Sequence, residues 1–565
     1  MYTLGINYLA ESSVCLLKND RLIYAISEER FNRKKNWYGL PWESINRTLK
    51  DNKLKISDIS YFATHGLSVL KKNVPDNDYF DKKIFLIKQS KNDLNKKKYL
   101  IKMINQRRKH EKIVINVRTK NVITKLSSKF KNLKIYDHHT CHAATAYYYS
   151  EFKNCYTLTI DGWGDNSSSK LFDCKNGVIK EIKSTPTIDS LGYFYGSITK
   201  LLGFTPHKHE GKILGLAAYS NPKKAYSDIS KLISYNKITK NFEGNIEKGF
   251  YLPSFKNKLL TFLKKKYKPS EIAAATQKRL EDVVLEYVND ISKKPFNLSL
   301  AGGVFSNVKL NQKLCENKKI KNIYVFPNMG DGGLAVGAAS LCANKYKQYK
   351  KFFAKDMYLG PEENYEINRK NLKKFNIKKI QTLNPINEVA NLLSKEKIIA
   401  LYNGRMEFGP RSLCNRSIIC SAKKVKINQT LNKKLKRTEF MPFAPVILKK
   451  YFNKYFYQID KKFNTSKYMT MTFKCKKITS QIAPAVVHVD NTARPQVVDK
   501  KINKTMNLIL ERYYKITKSP ILVNTSLNVH EEPIVCSVND ALRAFKSSNL
   551  DYILIGNNLF THNVE

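Results

Sequence analysis

The sequence predicts an α/β protein of two domains, on three observations. The chain has 565 residues, more than one hydrophobic core comfortably serves. Two successive stretches, "NLSLAGGVFSNVKLNQKL" and "IYVFPNMGDGGLAVGAAS", each run from an apolar strand through a glycine-rich turn into a helix, which is the crossing that builds parallel sheets. Between Tyr346 and Tyr365 the pattern breaks into lysines, aromatics and a Gly-Pro turn, and fresh strands follow. That break reads as a linker, residues 351–365, between domains at 1–350 and 366–565.

The elements follow in order. "YTLGINYL", "SVCLLKND" and "RLIYAISEERF" read as strands opening the first domain. A basic insertion spans about residues 65–135, densest over Lys82–Lys112, and reads as solvated amphipathic helix. "DHHTCHAATAYYYS" holds helix formers without Gly or Pro, so Asp137 starts a helix there. "CYTLTIDGWGDNSSSKLFDC" is a strand, a Gly-rich turn and a second strand, with polar groups where a phosphate can meet backbone N–H groups. "IDSLGYFYGSITKLLGF" has helical apolar spacing, and "TPHKHEGKILGLAAYS" reads as the loop after it. In the second domain "EKIIALYNGRMEFGPRSL", "APAVVHVDNTARPQVV", "SPILVNTSLN" and "YILIGNNLF" supply strands.

Composition narrows the function classes. No apolar run reaches eighteen residues, so no transmembrane helix is expected. "MYTLGINYLAESSVCLL" reads as a first strand rather than a secretion signal. The ten cysteines lack a CxxC pair, which argues against a zinc ribbon or disulfide framework and fits a cytoplasmic protein. The formal charge is +53, a level that suits nucleic acid. Here, however, the excess is dispersed Lys beside abundant Asn and Ile, all with A/T-rich codons, so a biased genome accounts for it. Neither a membrane nor a nucleic acid is an expected partner. No Walker A motif and no GxSxG elbow occurs.

Two groups of residues can carry chemistry. His138 and His142 stand one helical turn apart, a spacing that suits two imidazoles on one ion. The same spacing suits histidines that bond locally at a helix start. Asp331, in "MGDGG", is either the third ligand or a helix N-cap. In the second domain Arg405, Arg411 and Arg416 fall within one glycine-rich loop, and Lys436, Arg437 and Arg494 add to them. With Asn524, Ser526 and Asn528 at a strand end, they suit a highly charged anion, such as two phosphorylated substrates at once.

Together these motifs resemble the bacterial O-carbamoyltransferases that modify nodulation factors, cephamycins and tobramycin. The resemblance runs nearly the whole length, through "GINYLAESS", "SEERFNRKK", "DHHTCHAATAYYYSEF", "TIDGWGD", "HEGKILGLAAY", "LAGGVFSNVKLN", "GDGGLAVGAA", "YNGRMEFGPRSLCNRSI", "FMPFAPVIL" and "LVNTSLNVHEEPIVC". It implies an actin-like, sugar-kinase-type N-terminal domain, akin to threonylcarbamoyl transferases, and an α+β C-terminal domain like threonylcarbamoyl-AMP synthases. It also implies that carbamoyl phosphate and ATP, the latter with Mg2+, give carbamoyl-AMP in the C-terminal domain. The N-terminal domain then transfers the carbamoyl group to an acceptor hydroxyl at a metal centre, iron or another divalent ion. By position His138, His142 and Asp331 match the metal ligands. Arg411, Lys436, Arg494, Asn524 and Ser526 match residues holding carbamoyl phosphate and nucleotide, with Arg405, Arg416 and Arg437 beside them. Asp161, Gly162, Gly302, Gly303 and Asn307 match the nucleotide loops. A homodimer is the largest assembly the resemblance suggests.

The chain departs from the family pattern twice. Ala10 and Glu11 stand where the family has His-Asp, and Met441 stands where an Arg precedes Pro-Phe-Ala-Pro. Neither removes an implied metal ligand, so an active enzyme is expected. A tRNA-modifying threonylcarbamoyl enzyme and a non-catalytic binding protein are the competing expectations. The acceptor, a sugar, glycan or secondary metabolite, is not legible, because acceptor pockets are lined by variable loops.

Overall fold

The computed structural model describes residues 1–67, 78–114, 119–245, 247, 258–460 and 464–563. They form two compact units, each a mixture of helix and sheet as the sequence predicts. One comprises Met1–Tyr8, Leu16–Arg21 and Ser57–Phe353; the other comprises Leu9–Cys15, Leu22–Ile56 and Ala354–Glu565. The units are thus discontinuous in sequence, whereas the expected domains were continuous.

In the first unit the strands Tyr2–Asn7, Tyr61–His65 and Leu133–Tyr136 pair in parallel. A second sheet runs in the order Ile320–Val325, Phe296–Ala301, Asn154–Gly164, Ser167–Lys175, Val178–Pro186. Its first three strands are parallel and its last two are hairpin partners. The helices His138–Tyr148 and Leu334–Lys347 pack on each other. The first also packs on Asn154–Gly164 and the second on Tyr2–Asn7. Their approach needs Gly337, because a Cβ there would run into the Cys141 backbone. This packing brings the start of the histidine helix to the carboxyl end of the strand Asn154–Gly164.

The insertion is more firmly built than its charge suggests. Its described part contains helices Asp78–Gln89, Leu94–Ile113 and Lys120–Lys129; residues 68–77 and 115–118 lie outside the described residues. Phe80, Ile87, Leu100 and Ile104 are buried in the first unit's main core. Arg107 and Glu111 form an ion pair at 2.6 Å with side chains 1% and 0% exposed. One face of the long helix is therefore core, as an amphipathic helix requires, and the ion pair is buried with it.

Two further expectations change. Glu210–Ala217 is a helix, not a loop. Its glycines argue for a turn locally, but Ile213 is fully buried and the segment packs on the helix Pro269–Ile291, and tertiary burial outweighs a propensity penalty of about 1 kcal/mol per Gly. The stretch from Ala483 to Val498 holds only a short 3-10 turn, Pro484–Val486, and the brief strands Thr492–Ala493 and Gln496–Val498. Its prolines interrupt the apolar run.

In the second unit eight strands form one sheet. Their order is Ile377–Lys379, Asn558–His562, Tyr552–Ile555, Ile399–Tyr402, Arg416–Ser421, Ile521–Ser526, Ala444–Leu448, Gln496–Val498. Helices Pro385–Ser394 and Lys504–Thr517 close a core of Val389, Leu393, Met506, Ile509, Leu510 and Tyr513 over it. Arg416–Ser421 lies antiparallel to Ile521–Ser526, with Ser417 opposite Ser526 and Ile419 opposite Asn524. The loop before one strand and the end of the other therefore meet at one edge.

Candidate functional site

The first unit gathers a set of metal-ligating groups. Asp137 does cap the histidine helix: its Oδ1 accepts from Thr140 N and Thr140 Oγ1, both at 2.9 Å. The three histidines then divide. His139 turns away, with Nδ1 2.9 Å from Thr159 Oγ1 and Nε2 3.1 Å from the Ser167 carbonyl. Burial, with His138 beside it, holds this ring at about 3, so it stays neutral. His138 and His142 turn toward Asp161 and Asp331. Asp161 Oδ2 is 3.2 Å from His138 Nε2 and 2.9 Å from His142 Nε2, and Asp331 Oδ1 is 3.8 and 3.6 Å from the same atoms. The four donor atoms lie within 4.8 Å of one another.

Asp331 caps no helix with its side chain. It projects from the turn Asp331–Gly333, and its carbonyl accepts from Asn7 Nδ2 at 2.8 Å. Asp161 is the fourth member, which the sequence reading placed among the nucleotide loops instead. Its other oxygen, Oδ1, accepts from Gly162 N and Gly303 N, each at 3.2 Å. That link joins the acid cluster to the Gly302–Gly303 turn, where Gly302 has φ +101° and lies against the Ile160 backbone. Asn307 is occupied as the N-cap of Val308–Cys315, accepting from Leu310 N at 3.0 Å and bonding Gln277.

These residues fit a divalent ion. His142 is fully buried, its Nε2 meets only carboxylate oxygens, Asp161 Oδ2 at 2.9 Å and Asp331 Oδ1 at 3.6 Å, and its Nδ1 has no hydrogen-bond partner. Two imidazoles and two carboxylates converging on one point form a donor set for iron, zinc or manganese. Burial opposes a charge on His142, but hydrogen bonding and attraction to Asp161 and Asp331 raise it to about 9. The carboxylate of Asp161 is held well below its usual range by the same histidines, against the effect of burial. In metal-stripped protein this linkage stabilises the fold below the unfolded histidine value, about 6.5, and is lost as pH rises through about 9. The thermal midpoint of stripped protein should therefore fall between pH 6.5 and pH 9. Iron-loaded protein should show no such fall, because the ion replaces the proton. Matched thermal scans of the two forms check this.

The second unit gathers several of the expected cations around the loop "GRMEFGPRSLCNRS". Glu407 organises it. Its buried carboxylate oxygen Oε1 accepts from Leu413 N at 2.9 Å, Asn415 N at 2.8 Å and Arg416 N at 3.0 Å. Removing this acceptor strands three buried donors, so Glu407→Ala should cost about 3 kcal/mol or more, read as a shift in denaturant midpoint. The loop presents Arg411 beside Arg494. Burial lowers both guanidinium pKa values, and Arg411 lowers that of Arg494 further, with Glu439 offsetting each. Arg494 Nε has no hydrogen-bond partner. Arg437 donates to Thr525 Oγ1 at 2.9 Å, Ser526 Oγ at 3.2 Å and Asn528 Oδ1 at 2.7 Å, and burial lowers it to about 10. Asn524 donates to Gln496 Oε1 at 2.7 Å while its own carbonyl oxygen is left without a partner.

Not every expected cation joins this group. Arg405 donates to the carbonyls of Gly360 and Ile23 at 3.0 Å and also to that of Leu359. It ties strands together rather than facing a ligand. Arg416 is fully buried, donates through Nη1 to the carbonyls of Asn403 and Gly404, and stacks 3.7 Å from the Tyr402 ring centroid. Lys436 is exposed in left-handed backbone, φ 54°. Lys35, which the residue-by-residue reading passed over, adds a cation. It is exposed at the surface, where Glu531, Glu29 and Glu439 attract it and Arg437 repels it. Its signal in the sequence was the motif "SEERFNRKK", quoted without a role.

Comparison with known proteins agrees with this geometry. A family model described as carbamoyltransferase N-terminus matches residues 2–340, and one described as carbamoyltransferase C-terminus matches 390–562. The uncharacterized protein MJ1051 of Methanocaldococcus jannaschii is 34% identical over 99% of both chains. Nodulation protein NolNO of Sinorhizobium fredii is 28% identical, over 98% of this chain and 79% of that protein. Among solved structures, component A of (R)-2-hydroxyglutaryl-CoA dehydratase from Acidaminococcus fermentans is 16% identical, with a TM-score of 0.36 over 61% of this chain and 98% of that one. Both ends of the chain match the family, in the order in which the fold lays out the acid–histidine cluster and the arginine loop. The chain therefore belongs to the carbamoyltransferase family and is a carbamoyltransferase.

Proposed function

We propose that the chain is an ATP-dependent O-carbamoyltransferase that works in two half-reactions. In the first, water releases inorganic phosphate and carbamate from carbamoyl phosphate. A carbamate oxygen attacks the ATP α-phosphorus, the bond to pyrophosphate breaks, and carbamoyl-AMP forms. In the second, the hydroxyl of a small-molecule or glycan acceptor attacks the carbamoyl carbon. AMP leaves, and the hydroxyl proton passes to a base or to solvent.

The observation that carries this reading is the Arg411–Arg494 pair. Arg411 lowers the pKa of Arg494 while burial lowers both and Glu439 offsets each, so the two guanidinium groups are unfavourable without a ligand. A multiply charged anion reverses that balance, and the charge of an adenylation transition state does so most strongly. Arg437, holding Ser526 and Asn528 in place, keeps neutral donors beside the cations.

His138, His142, Asp161 and Asp331 would hold the divalent ion, iron by the family resemblance. Such an ion polarises a carbonyl or acidifies a hydroxyl. Asp161 also accepts from Gly303 N, which fixes the carboxylate relative to the glycine turn. Mg2+ would accompany ATP.

Pyrophosphate release from purified, metal-loaded protein given ATP and carbamoyl phosphate, without acceptor, tests the first half-reaction. Release that needs both substrates supports it. No release from folded protein, with Met441 standing where the family has Arg, would sink it.

A further inference from the structure

We propose that Cys155 and Cys174 form a redox-active dithiol, a site that reacts with low-molecular-weight disulfides to close a reversible cross-strand bond. The two residues are direct partners across the antiparallel strands Asn154–Gly164 and Ser167–Lys175. Residues directly opposite on such a pair have Cα atoms about 4.5 or 5.5 Å apart and side chains on one face. Both separations fall within the range of about 4.4–6.8 Å that a disulfide spans, so the pairing places the two cysteines within bridging range.

The chemistry around the sulfurs is asymmetric. Thr157 Oγ1 lies 3.1 Å from Cys174 Sγ and 3.7 Å from Cys155 Sγ, and Ser299 Oγ lies 3.5 Å from Cys155 Sγ. Hydrogen bonds from Cys174, Ser299 and Thr157 hold the Cys155 thiol below its ordinary range. Burial, and the hydrogen bond and charge of Cys155, push Cys174 up. Cys155 is 6% exposed and Cys174 0%, so Cys155 meets the small disulfide first and Cys174 resolves the mixed disulfide. Lys351 supplies a proton acceptor. Its Nζ donates to the Tyr147 carbonyl at 2.7 Å, and burial lowers it to about 8, while the charges of Cys155 and Cys174 work the other way.

The step balances. The Cys155 thiolate attacks one sulfur of a small disulfide and expels the other as a thiolate. Cys174 loses its proton and attacks the Cys155 sulfur of the mixed disulfide, expelling the second small thiolate. The chain loses two electrons and two protons, and the small disulfide becomes two thiols. The strand holding Cys155 also carries Asp161 near its other end, so closure would clamp the hairpin that supports the metal cluster.

The test uses full-length, metal-loaded protein treated with oxidised glutathione at pH 8, then alkylated and digested with trypsin. The expected product joins peptide Asn154–Lys170 to peptide Leu171–Lys175, removes two of the ten thiols and disappears on treatment with dithiothreitol. Cys174→Ser should instead leave Cys155 as the glutathione mixed disulfide. In the oxidised wild type, amide exchange across residues 155–174 should slow at least several-fold. Recovery of both peptides separately alkylated, while other cysteines oxidise, would overturn the proposal. So would a link that forms only in urea.

Discussion

If the proposed site holds iron, Asp161→Asn should leave the purified protein with less than about a tenth of the wild-type iron, while pyrophosphate release stays within about two-fold. The substitution keeps the size of the side chain and removes the charge. Asp161 is the carboxylate nearest both imidazoles, at 2.9 and 3.2 Å, whereas Asp331 stands at 3.6 and 3.8 Å. Losing a ligand costs more than the roughly 10–100-fold in affinity that accompanies loss of a partner behind a ligand. Asn can still accept from Gly303 N, so the glycine turn should persist. Metal content by mass spectrometry, with circular dichroism to verify the fold, checks the prediction. Wild-type iron content in the variant would mean that two histidines and Asp331 suffice, and that Asp161 belongs to the loops as first read.

Arg494→Met should lower pyrophosphate release by about 10²–10³-fold, the scale of removing one preorganised donor from a developing anion. The same change should leave the thermal midpoint unchanged or raise it. Burial and the neighbouring Arg411 both oppose the Arg494 charge, and its Nε has no partner. An apolar side chain of similar length relieves that penalty. The two signs together separate a ligand-binding arginine from a structural one. Arg416→Met provides the contrast. It strips the carbonyls of Asn403 and Gly404 of a donor and should lower the midpoint. If Arg494→Met destabilised the protein without slowing the first half-reaction, the anion pocket would lie elsewhere.

Much of the site was legible in the residues because local rules produced it. Helical spacing places His138 and His142 on one face, and Asp137 caps the helix that carries them. The strand–glycine–helix pattern puts Asp331 in the turn after the strand Ile320–Val325. The arginine loop announces an anion by composition alone.

Other features depend on partners distant in sequence. Asp161 reads as a nucleotide-loop residue until sheet pairing and the Gly337 contact bring the histidine helix against its strand. Arg405 and Arg411 look equivalent in "GRMEFGPRSL". Arg405 meets the carbonyls of Gly360 and Ile23, while Arg411 acts on Arg494, which lies between the strands Thr492–Ala493 and Gln496–Val498. Cys155 and Cys174 acquire a shared chemistry only through antiparallel register. The sequence by itself determined the fold class, the helix bearing the histidines and the kind of ligand the arginines suit, because periodicity, capping and charge act over a few residues. Tertiary structure alone decided which carboxylates join the histidines and which arginines stay available. Both depend on contacts between segments from about twenty to several hundred residues apart, which packing creates and local pattern does not encode.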